Sequence, residues 1–441
     1  MSPTKFVDRE APVQGAIVVH PDREGRAGAR QPEARLEEAA GLALALDLEV
    51  REAVIATLRK LTPATLFGGG KVEEIAARVR AAEADVVVVD DALTPVQQRN
   101  LEKAWQVKVI DRTGLILEIF ARRARTREGR LQVELARLTY ERSRLVRTWT
   151  HLERQRGGFG VMGGPGETQI ETDRRLIAEK IGKLKRELEE VRRTRTLARS
   201  ARRRIPFPAV ALVGYTNAGK STLFNRLTKA EVVAQDMLFA TLDPTIRALK
   251  LPDGRPAMLS DTVGFISDLP HELVEAFRAT LEEVREADVV LHVRDIASAE
   301  TREQADDVRA VLGQLDVDMD ERRILEVWNK ADLLDAEARA EVLQDARRAR
   351  PPAIVVSAVT GQGVDDLLAA IAGLVDEAPP VQVLTPPGDG AAVAWLYRHG
   401  RVIERREGED GAVTLTVSLT PQALGQFEQQ FPAAKVDAAE G

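Results

Sequence analysis

A glycine-rich segment with one lysine and one serine directly follows the apolar, β-branched stretch Val210–Val213. Its members are Gly214, Tyr215, Thr216, Asn217, Ala218, Gly219, Lys220 and Ser221. The spacing matches GxxxxGK[ST], a loop whose backbone N–H groups wrap a β-phosphate. Lys220 is expected to place a fixed positive charge on the β- and γ-phosphates, and the Ser221 hydroxyl to ligate Mg²⁺. The segment predicts a nucleoside triphosphate site between a strand and a helix.

A second segment, of the form DxxG, follows the short apolar stretch Ala257–Ser260. Its members are Asp261, Thr262, Val263 and Gly264. We expect Asp261 to hold magnesium through a water molecule, and the Gly264 N–H to sense the γ-phosphate. DxxG alone is a common pattern, so it indicates a nucleotide site only because it follows the first motif in the chain.

Two further segments predict a pocket for guanine. Asn329, Lys330, Ala331 and Asp332 follow the apolar stretch Ile324–Trp328, and Ser357, Ala358 and Val359 follow Ala353–Val356. The Asp332 carboxylate can accept hydrogen bonds from guanine N1–H and the exocyclic amine. Adenine offers neither donor there, so its binding would leave a desolvated carboxylate unpaired. A backbone N–H near Ala358 can donate to guanine O6. The four motifs together predict a GTP- and GDP-binding domain.

The stretch Phe239–Thr245, between the first two motifs, contains two threonines, Thr241 and Thr245, and spacing alone does not decide which one ligates Mg²⁺. Phe265 stands where Ras-like GTPases place the glutamine that orients the attacking water. We therefore expect slow intrinsic hydrolysis, below the roughly 1 s⁻¹ of a typical enzyme. Asn217 resembles the asparagine of potassium-activated GTPases, which makes K⁺ a candidate cofactor.

The composition is that of a globular protein of several domains. The chain has 441 residues, of which 44% are hydrophobic and 30% charged, and it has no cysteine, so no disulfide partner is expected. No apolar run approaches the roughly 18–20 residues that span a bilayer, and the start does not resemble a signal peptide. We expect a cytoplasmic monomer with no membrane span.

Charge is distributed unevenly along the chain. Residues 121–204 contain 24 Lys and Arg against 11 Asp and Glu, a balance of +13 within a chain of net charge −6. A strongly basic segment in an acidic protein predicts a localised contact with a polyanion.

The predicted fold class is α/β, with four domains. Residues 12–118 are expected to form an N-terminal parallel α/β domain, with strands at Ala16–Val19, Val86–Asp90 and Val107–Ile110 and helices at Glu33–Leu46, Lys71–Ala82 and Pro95–Ala104. Residues 119–204 form the basic segment, 206–376 the P-loop GTPase domain and 384–436 a small α+β domain. In that last domain the predicted strands are Ala391–Tyr397, Val402–Arg405 and Val413–Ser418, followed by a helix at Pro421–Phe431.

The basic segment is predicted to form an antiparallel hairpin of two amphipathic helices. Apolar residues recur every three or four positions along both halves, with one interruption at Arg142 in the first half. They are Leu131, Leu135, Leu138, Leu145, Trp149 and Leu152, and Ile177, Ile181, Leu184, Leu188 and Val191. A glycine-rich tip, Arg156–Gly166, separates them and is expected to be non-helical. A solvated charged hairpin and an RNA-binding surface are both compatible with the pattern, and the basic excess favours RNA.

The chain resembles the HflX family of translational GTPases, through GYTNAGKS, FATLDPT, DTVGF, NKAD and GGPGETQIETDRR at Gly163–Arg175. The resemblance implies binding to the large ribosomal subunit and its rRNA, with the hairpin tip reaching toward the peptidyl-transferase region, and splitting of stalled ribosomes. It also implies a membrane-peripheral fraction, and ATP use by the N-terminal domain. By the family pattern Thr241 ligates Mg²⁺ with Ser221, and the catalytic set is Lys220, Thr241 and Gly264. The residues implied to touch the nucleotide in the first switch are Phe239, Ala240, Thr241, Leu242 and Asp243.

Two other functions remain open at this point. The protein could be a GTP-switched RNA-binding assembly factor that splits no ribosomes. It could also be an ATP-driven RNA remodeller regulated by its GTPase domain, although the sequence shows no second Walker motif.

Overall fold

The computed structural model describes residues 13–23, 30–155, 165–202, 207–229, 238–239, 241–242, 245–270, 273–274, 281–314, 323–350, 353–375, 381–408, 411–419 and 421–438. The chain divides into two compact units. The first comprises Met1–Leu188, Met237–Phe239 and Leu269–Ala276, and the second comprises Glu189–Asp236, Ala240–Asp268 and Phe277–Gly441.

The first unit contains a four-stranded parallel sheet. Its strands are β1 (Gly15–Arg23), β2 (Glu49–Leu58), β3 (Val86–Val89) and β4 (Lys108–Asp111), in the order β2-β1-β3-β4. The helices between and after them are α1 (Pro32–Leu44), α2 (Gly69–Ala81), α3 (Pro95–Trp105) and α4 (Arg112–Arg123). The central strand β3 is four valines, all buried, as expected for a strand covered on both faces. The predicted parallel α/β domain is confirmed, whereas β2 and α4 were not predicted.

The basic segment forms two long helices, α5 (Arg127–Gln155) and α6 (Pro165–Arg202). The predicted apolar stripe is buried at Leu131 on α5 and at Ile181, Leu184 and Leu188 on α6. The prediction for the tip is partly wrong, because α6 begins at Pro165 and includes Gly166. Proline is tolerated in the first turn of a helix, where its missing N–H is not needed. Residues 156–164 of the predicted tip lie outside the described residues.

The second unit contains a six-stranded sheet in the order β10-β9-β8-β5-β7-β6. Its strands are β5 (Ala209–Gly214), β6 (Thr245–Lys250), β7 (Pro256–Asp261), β8 (Val289–Asp295), β9 (Arg323–Asn329) and β10 (Ala353–Val355). All neighbours are parallel except β6, which runs antiparallel to β7. The helices described in this part are α7 (Lys220–Thr228), α8 (Glu282–Arg285), α9 (Thr301–Gln314), α10 (Ala336–Arg348) and α11 (Val364–Val375). Because the parallel strands share one orientation, their carboxyl ends bring the predicted motifs to one edge of the sheet.

The C-terminal region of the second unit is a four-stranded antiparallel sheet in the order β12-β13-β11-β14. Its elements are β11 (Val381–Thr385), α12 (Gly390–His399), β12 (Arg401–Glu407), β13 (Val413–Ser418), α13 (Pro421–Gln430) and β14 (Lys435–Ala438). The predicted strand at Ala391–Tyr397 is wrong, because this stretch lies within α12. The Asp389 side chain caps α12 by accepting from the Ala392 N–H, and Ala392 and Leu396 are buried four positions apart, a helical period.

No helix in the described part of the chain is both long enough and apolar enough to cross a bilayer.

Candidate nucleotide-binding site

The loop that joins β5 to α7 depends on two glycines with positive φ. Gly214 has φ +152°, and a Cβ there would lie 2.1 Å from the Val293 carbonyl oxygen. Gly219 has φ +88°, and its Cβ would lie 2.3 Å from the Asn329 side-chain nitrogen. No other residue type fits either position, so the glycines of the motif are required by sterics before any ligand is considered.

Lys220, the first residue of α7, is buried beneath this loop. Its ammonium group donates to the carbonyl oxygens of Gly214 at 3.1 Å and Tyr215 at 2.8 Å. Burial lowers the pKa of Lys220 to about 8, and the nearby Asp261 carboxylate opposes that shift. A positive charge held against a glycine-rich loop is suited to bind phosphate.

Three oxygen-bearing side chains meet beside Lys220. The Ser221 hydroxyl donates to Asp261 Oδ2 at 2.7 Å, and the Thr241 hydroxyl donates to the same oxygen at 3.0 Å. The two hydroxyl oxygens are 2.8 Å apart. Of the two threonines left open by spacing, it is Thr241 that lies beside Ser221 and Asp261. Thr245 is the first residue of β6.

The Asp261 carboxylate has one oxygen without a partner among the described residues. Oδ1 is buried and accepts no hydrogen bond there, while burial raises the pKa of this carboxyl. A buried carboxylate oxygen next to two hydroxyls is a set of hard ligands, which fits a magnesium ion. This structural feature, rather than the motif spelling, supports Mg²⁺ at the site.

The DxxG segment lies against the phosphate loop through backbone hydrogen bonds. The Thr216 N–H donates to the Phe265 carbonyl at 2.7 Å, and the Phe265 N–H donates to the Gly214 carbonyl at 3.1 Å. A Cβ on Gly264 would lie 3.1 Å from the Lys220 ammonium nitrogen, so only glycine allows this close approach. The Phe265 side chain is a buried hydrocarbon ring, so it has no polar group that could orient a water molecule.

Asn329 connects the phosphate loop to the loop after β10. Its amide nitrogen donates to the Ala218 carbonyl at 2.9 Å, and its Oδ1 accepts from the Ala358 N–H at 3.0 Å. Lys330 has φ +67° and its ammonium group lies 2.8 Å from the Asp295 carboxylate. Asp332 is exposed within the short 3₁₀ helix Ala331–Leu333. The motif residues predicted for guanine thus lie at the carboxyl ends of β9 and β10.

The remaining predicted residues have different environments. The Thr262 hydroxyl donates to the Leu212 carbonyl at 2.6 Å, and Val263 and Leu242 are buried. Phe239 belongs to the first compact unit, where its ring centroid lies 4.6 Å from that of Phe120. Ala240 and Asp243 lie outside the described residues.

Sequence reasoning missed Arg226 near the end of α7. Its Nε donates to the Ala358 carbonyl at 3.0 Å, and a terminal nitrogen donates to the Val359 carbonyl. These partners are 132 and 133 positions away in sequence, so no local pattern indicates the contact.

Four family models match consecutive parts of the chain. They are described as GTP-binding GTPase N-terminal (residues 33–121), GTP-binding GTPase Middle Region (123–202), 50S ribosome-binding GTPase (209–330) and HflX C-terminal domain (342–440). The fourth match begins at residue 342, within the segment 206–376 that was predicted as the GTPase domain.

Similar proteins extend over nearly the whole chain. A GTPase HflX of Magnetococcus marinus is 54% identical over 91% of this chain and 92% of its own length. GTPase HflX of Escherichia coli is 45% identical over 90% of this chain and 92% of its own length. Among solved structures, a GTP-binding protein from Sulfolobus solfataricus in complex with GDP is 24% identical, with a TM-score of 0.44, over 82% of this chain and 98% of that chain. With a phosphate loop, a DxxG segment and guanine motifs at one sheet edge, and with relatives of this identity and coverage, the chain belongs to the HflX family of GTPases and is a GTP hydrolase.

Proposed function

We propose that this protein binds the large ribosomal subunit and dissociates or rescues stalled ribosomes, and that GTP hydrolysis serves as its release switch. The observation that carries the proposal is the presence in one chain of a GTPase site and a pair of strongly basic helices. Residues 121–204 have a charge balance of +13, and the GTPase domain matches the 50S ribosome-binding GTPase model over residues 209–330. Clustered Lys and Arg are the electrostatic requirement for binding rRNA phosphates.

Charges on α6 are available to a polyanion. The Arg175 and Lys183 side chains are 72% and 73% exposed, and each pairs only loosely, at 3.8 Å, with a glutamate one turn further on. Exposed pairs of this kind contribute little to stability. Exchanging them for contacts with phosphate therefore costs the fold little.

The nucleotide end supplies the chemistry of hydrolysis. Backbone N–H groups of the phosphate loop and the Lys220 ammonium group would bind the β- and γ-phosphates, and Ser221 and Thr241 would hold Mg²⁺ with Asp261 nearby. A bound magnesium ion supplies neutralisation of the charge that develops on the phosphates. Asp332 and the loop at Ala358 would bind guanine. The catalytic set in this proposal is Lys220, Thr241 and Gly264.

Thr241 and Gly264 provide the switch. In this proposal Thr241 responds to the γ-phosphate through the magnesium ligand set, where its hydroxyl bonds Asp261, and Gly264 responds through its backbone N–H. Loss of the γ-phosphate removes these contacts and releases the segments that carry them. Binding of GTP then favours the ribosome-bound state, and hydrolysis ends it.

Intrinsic hydrolysis should be slow, because the buried Phe265 side chain cannot orient the attacking water. We expect turnover below roughly 1 s⁻¹ for the purified protein. Asn217, held at φ +59° in the phosphate loop, is the residue through which a potassium ion would act. Equal hydrolysis rates in potassium and sodium buffers would exclude that role.

Sedimentation of intact ribosomes tests the proposal directly. Purified protein is incubated with 70S ribosomes and either GTP or a non-hydrolysable analogue, and the subunit and 70S fractions are then separated. Separation into subunits with both nucleotides supports splitting driven by binding energy. Co-sedimentation with the large subunit while 70S ribosomes stay whole would instead favour a GTP-switched assembly factor.

Deletion of Gly157–Gly164 gives a matched variant for that experiment. The deletion removes the glycine-rich segment between α5 and α6 and leaves every residue of the nucleotide site in place. We expect subunit separation to be lost while GDP affinity is retained. Full splitting activity in this variant would show that the tip does not act on the ribosome.

A further inference from the structure

The loop after β10 is a compact turn stabilised by its own backbone. The Gly361 N–H donates to the Ser357 carbonyl at 2.8 Å, and the Ser357 N–H donates to the Gln362 carbonyl at 3.0 Å. Gly363 has φ +72°, and a Cβ there would lie 2.2 Å from the Val355 carbonyl oxygen. These bonds fix the shape of the turn. Its position relative to the phosphate loop has to come from other contacts.

Two side chains from other elements supply that position, and both act on Ala358. On one side the Asn329 Oδ1 accepts from the Ala358 N–H at 3.0 Å. On the other side Arg226 Nε donates to the Ala358 carbonyl at 3.0 Å, and the same guanidinium donates to the Val359 carbonyl. Ala358 is therefore held through both its amide and its carbonyl.

Arg226 also connects the two ends of the nucleotide site. It lies on α7, the helix that begins with Lys220 and Ser221. A single helix therefore carries the phosphate-binding lysine at its start and, near its end, the arginine that holds the predicted guanine loop. The guanidinium is a planar group with donors in a fixed fork, so it can bind two neighbouring carbonyls at once, which an ammonium group on a lysine does less well.

We propose that Arg226 is a positioning residue for guanine recognition, which holds the loop at Ala358–Val359 at a fixed distance from the phosphate loop. The proposal rests on the assignment of this loop to guanine. Without Arg226, only one of these two side chains, Asn329, still contacts Ala358. The loop is then less well ordered before the base binds. Because the loop must become ordered when the base binds, guanine nucleotides bind more weakly. The phosphate end keeps its geometry, because Lys220 is bound by Gly214 and Tyr215.

A simpler role is also physically reasonable. Arg226 lies in the last turn of α7, where a cation interacts favourably with the helix dipole. That role requires only a positive charge, and lysine would fill it completely. It would also affect the stability of the helix rather than the affinity for the base.

The test compares Arg226→Met and Arg226→Lys with Arg348→Met, which removes an exposed arginine from α10 in the same unit. For Arg226→Met we expect the KM for GTP and the dissociation rate of fluorescent GDP to rise about fivefold, the size of one ordinary hydrogen bond, because the loop loses order but keeps its contact with Asn329. The kcat and the inhibition constant of inorganic pyrophosphate, which probes only the phosphate end, should stay within twofold. Arg226→Lys should lie between wild type and Arg226→Met, and Arg348→Met should match wild type.

Three outcomes overturn the proposal. An unchanged KM in Arg226→Met would show that the loop does not need the arginine. Full rescue by lysine would assign the effect to the helix dipole. Equal weakening of GDP and pyrophosphate, with a lower melting temperature, would assign it to general destabilisation. Asp332→Asn serves as a reference: if it leaves the KM for GTP unchanged, the guanine site itself is misassigned, which separates that failure from failure of the Arg226 proposal.

Discussion

Buried aspartates at the strand ends of the four-stranded sheet and of the six-stranded sheet have different partners and opposite pKa shifts. In the first unit, Asp90 follows β3 and has two arginines and one histidine as partners. Its carboxylate is bound by Arg112, lies 2.8 Å from His20 Nδ1 and 3.5 Å from Arg35 Nε. Burial would raise the pKa of Asp90, but the charge of Arg112 and the hydrogen bond from His20 outweigh it and hold that pKa below its usual range.

In the second unit, Asp261 ends β7 with one carboxylate oxygen lacking a partner among the described residues. Burial dominates there and raises its pKa, although Lys220 opposes the shift. The Thr216 hydroxyl of the phosphate loop is likewise buried with no partner in the described part of the chain. Buried polar groups are nearly always hydrogen-bonded, so two such atoms in the phosphate-loop and DxxG motifs fit a site that a ligand completes. We call the end of the first sheet, where Asp90 is paired within the protein, the closed edge. We call the end of the second sheet, where Asp261 has an oxygen without a partner among the described residues, the open edge.

The largest expected effect is on hydrolysis at the open edge. Lys220→Met removes the buried positive charge beneath the phosphate loop, and kcat/KM for GTP should fall by roughly 10³-fold. Lys229→Met, which alters an exposed lysine directly after the same helix, is the control and should behave as wild type. A fall of less than tenfold in Lys220→Met would mean that the charge is not used on the phosphates.

At the closed edge the expected effect is on stability instead. Arg112→Met leaves the buried Asp90 carboxylate and the neighbouring Glu38 without their shared cation. Removing one partner of a buried pair typically costs about 3–5 kcal/mol in the free energy of unfolding. Thermal melting should reveal the loss, while GDP affinity of the folded protein should stay within twofold. A variant with normal melting and weakened GDP binding would reverse the assignment of the two edges.

Glu326 on β9 offers a pH-dependent test within the nucleotide-binding unit. Burial would raise its pKa, but the hydrogen bond from His292 and the charges of His292 and Arg294 lower it from 4.5 to about 2. Its contribution to stability is therefore complete above pH 4.5 and is lost as the pH falls toward 2. From the shift, Glu326→Gln should lower the free energy of unfolding by about 3 kcal/mol at pH 7.

The stability difference between Glu326→Gln and wild type should shrink as the pH falls from 4.5 to 2. Fluorescence of Trp328 is a suitable probe, because its indole N–H donates to Glu326 at 3.3 Å. A difference that stays constant over this pH range would contradict the low pKa of Glu326.

The smallest effect is expected where α5 meets the first sheet. The Tyr140 hydroxyl donates to Asp111, with both carboxylate oxygens 2.8 Å away, and burial raises the pKa of this tyrosine. Tyr140→Phe keeps the ring and should lower the free energy of unfolding by about 1 kcal/mol. Denaturant titration measures the change, and Thr139→Val, a nearby hydroxyl that bonds only within the helix, provides a comparison. A larger loss in the threonine variant would argue against the Asp111 contact.

The nucleotide site was predictable because its motifs are local. Each of the four motif segments begins at or just beyond the end of a strand of one sheet, and parallel strands bring their carboxyl ends together, so Lys220, Asp261 and Asn329 had to converge. The contact from Arg226 was not predictable, because it joins residues more than a hundred positions apart. It depends on how the end of α7 lies against the loop that follows β10, which no sequence spacing records.

The errors in secondary structure have the same origin. Strand β2 contains good helix formers among its alternating residues, and it is the pairing with β1 that makes it a strand. The stretch 391–397 mixes alanine with β-branched and aromatic residues, so its composition does not distinguish a strand from a helix. The cap at Asp389 and the burial of Leu396 stabilise the helix. The stripe on α6 was read correctly because a regular 3–4 spacing repeats without a break through Ile181, Leu184 and Leu188.

Hydrogen–deuterium exchange on the full chain tests the contrast between the two edges most directly. The protein is compared alone, with GDP and Mg²⁺, and with ATP and Mg²⁺. We predict that GDP slows exchange at 214–221, 329–332 and 357–359, and that neither nucleotide changes exchange at 86–91 or 108–112. Protection of the Asp90 region by either nucleotide, or its absence at the phosphate loop with GDP, would contradict the account.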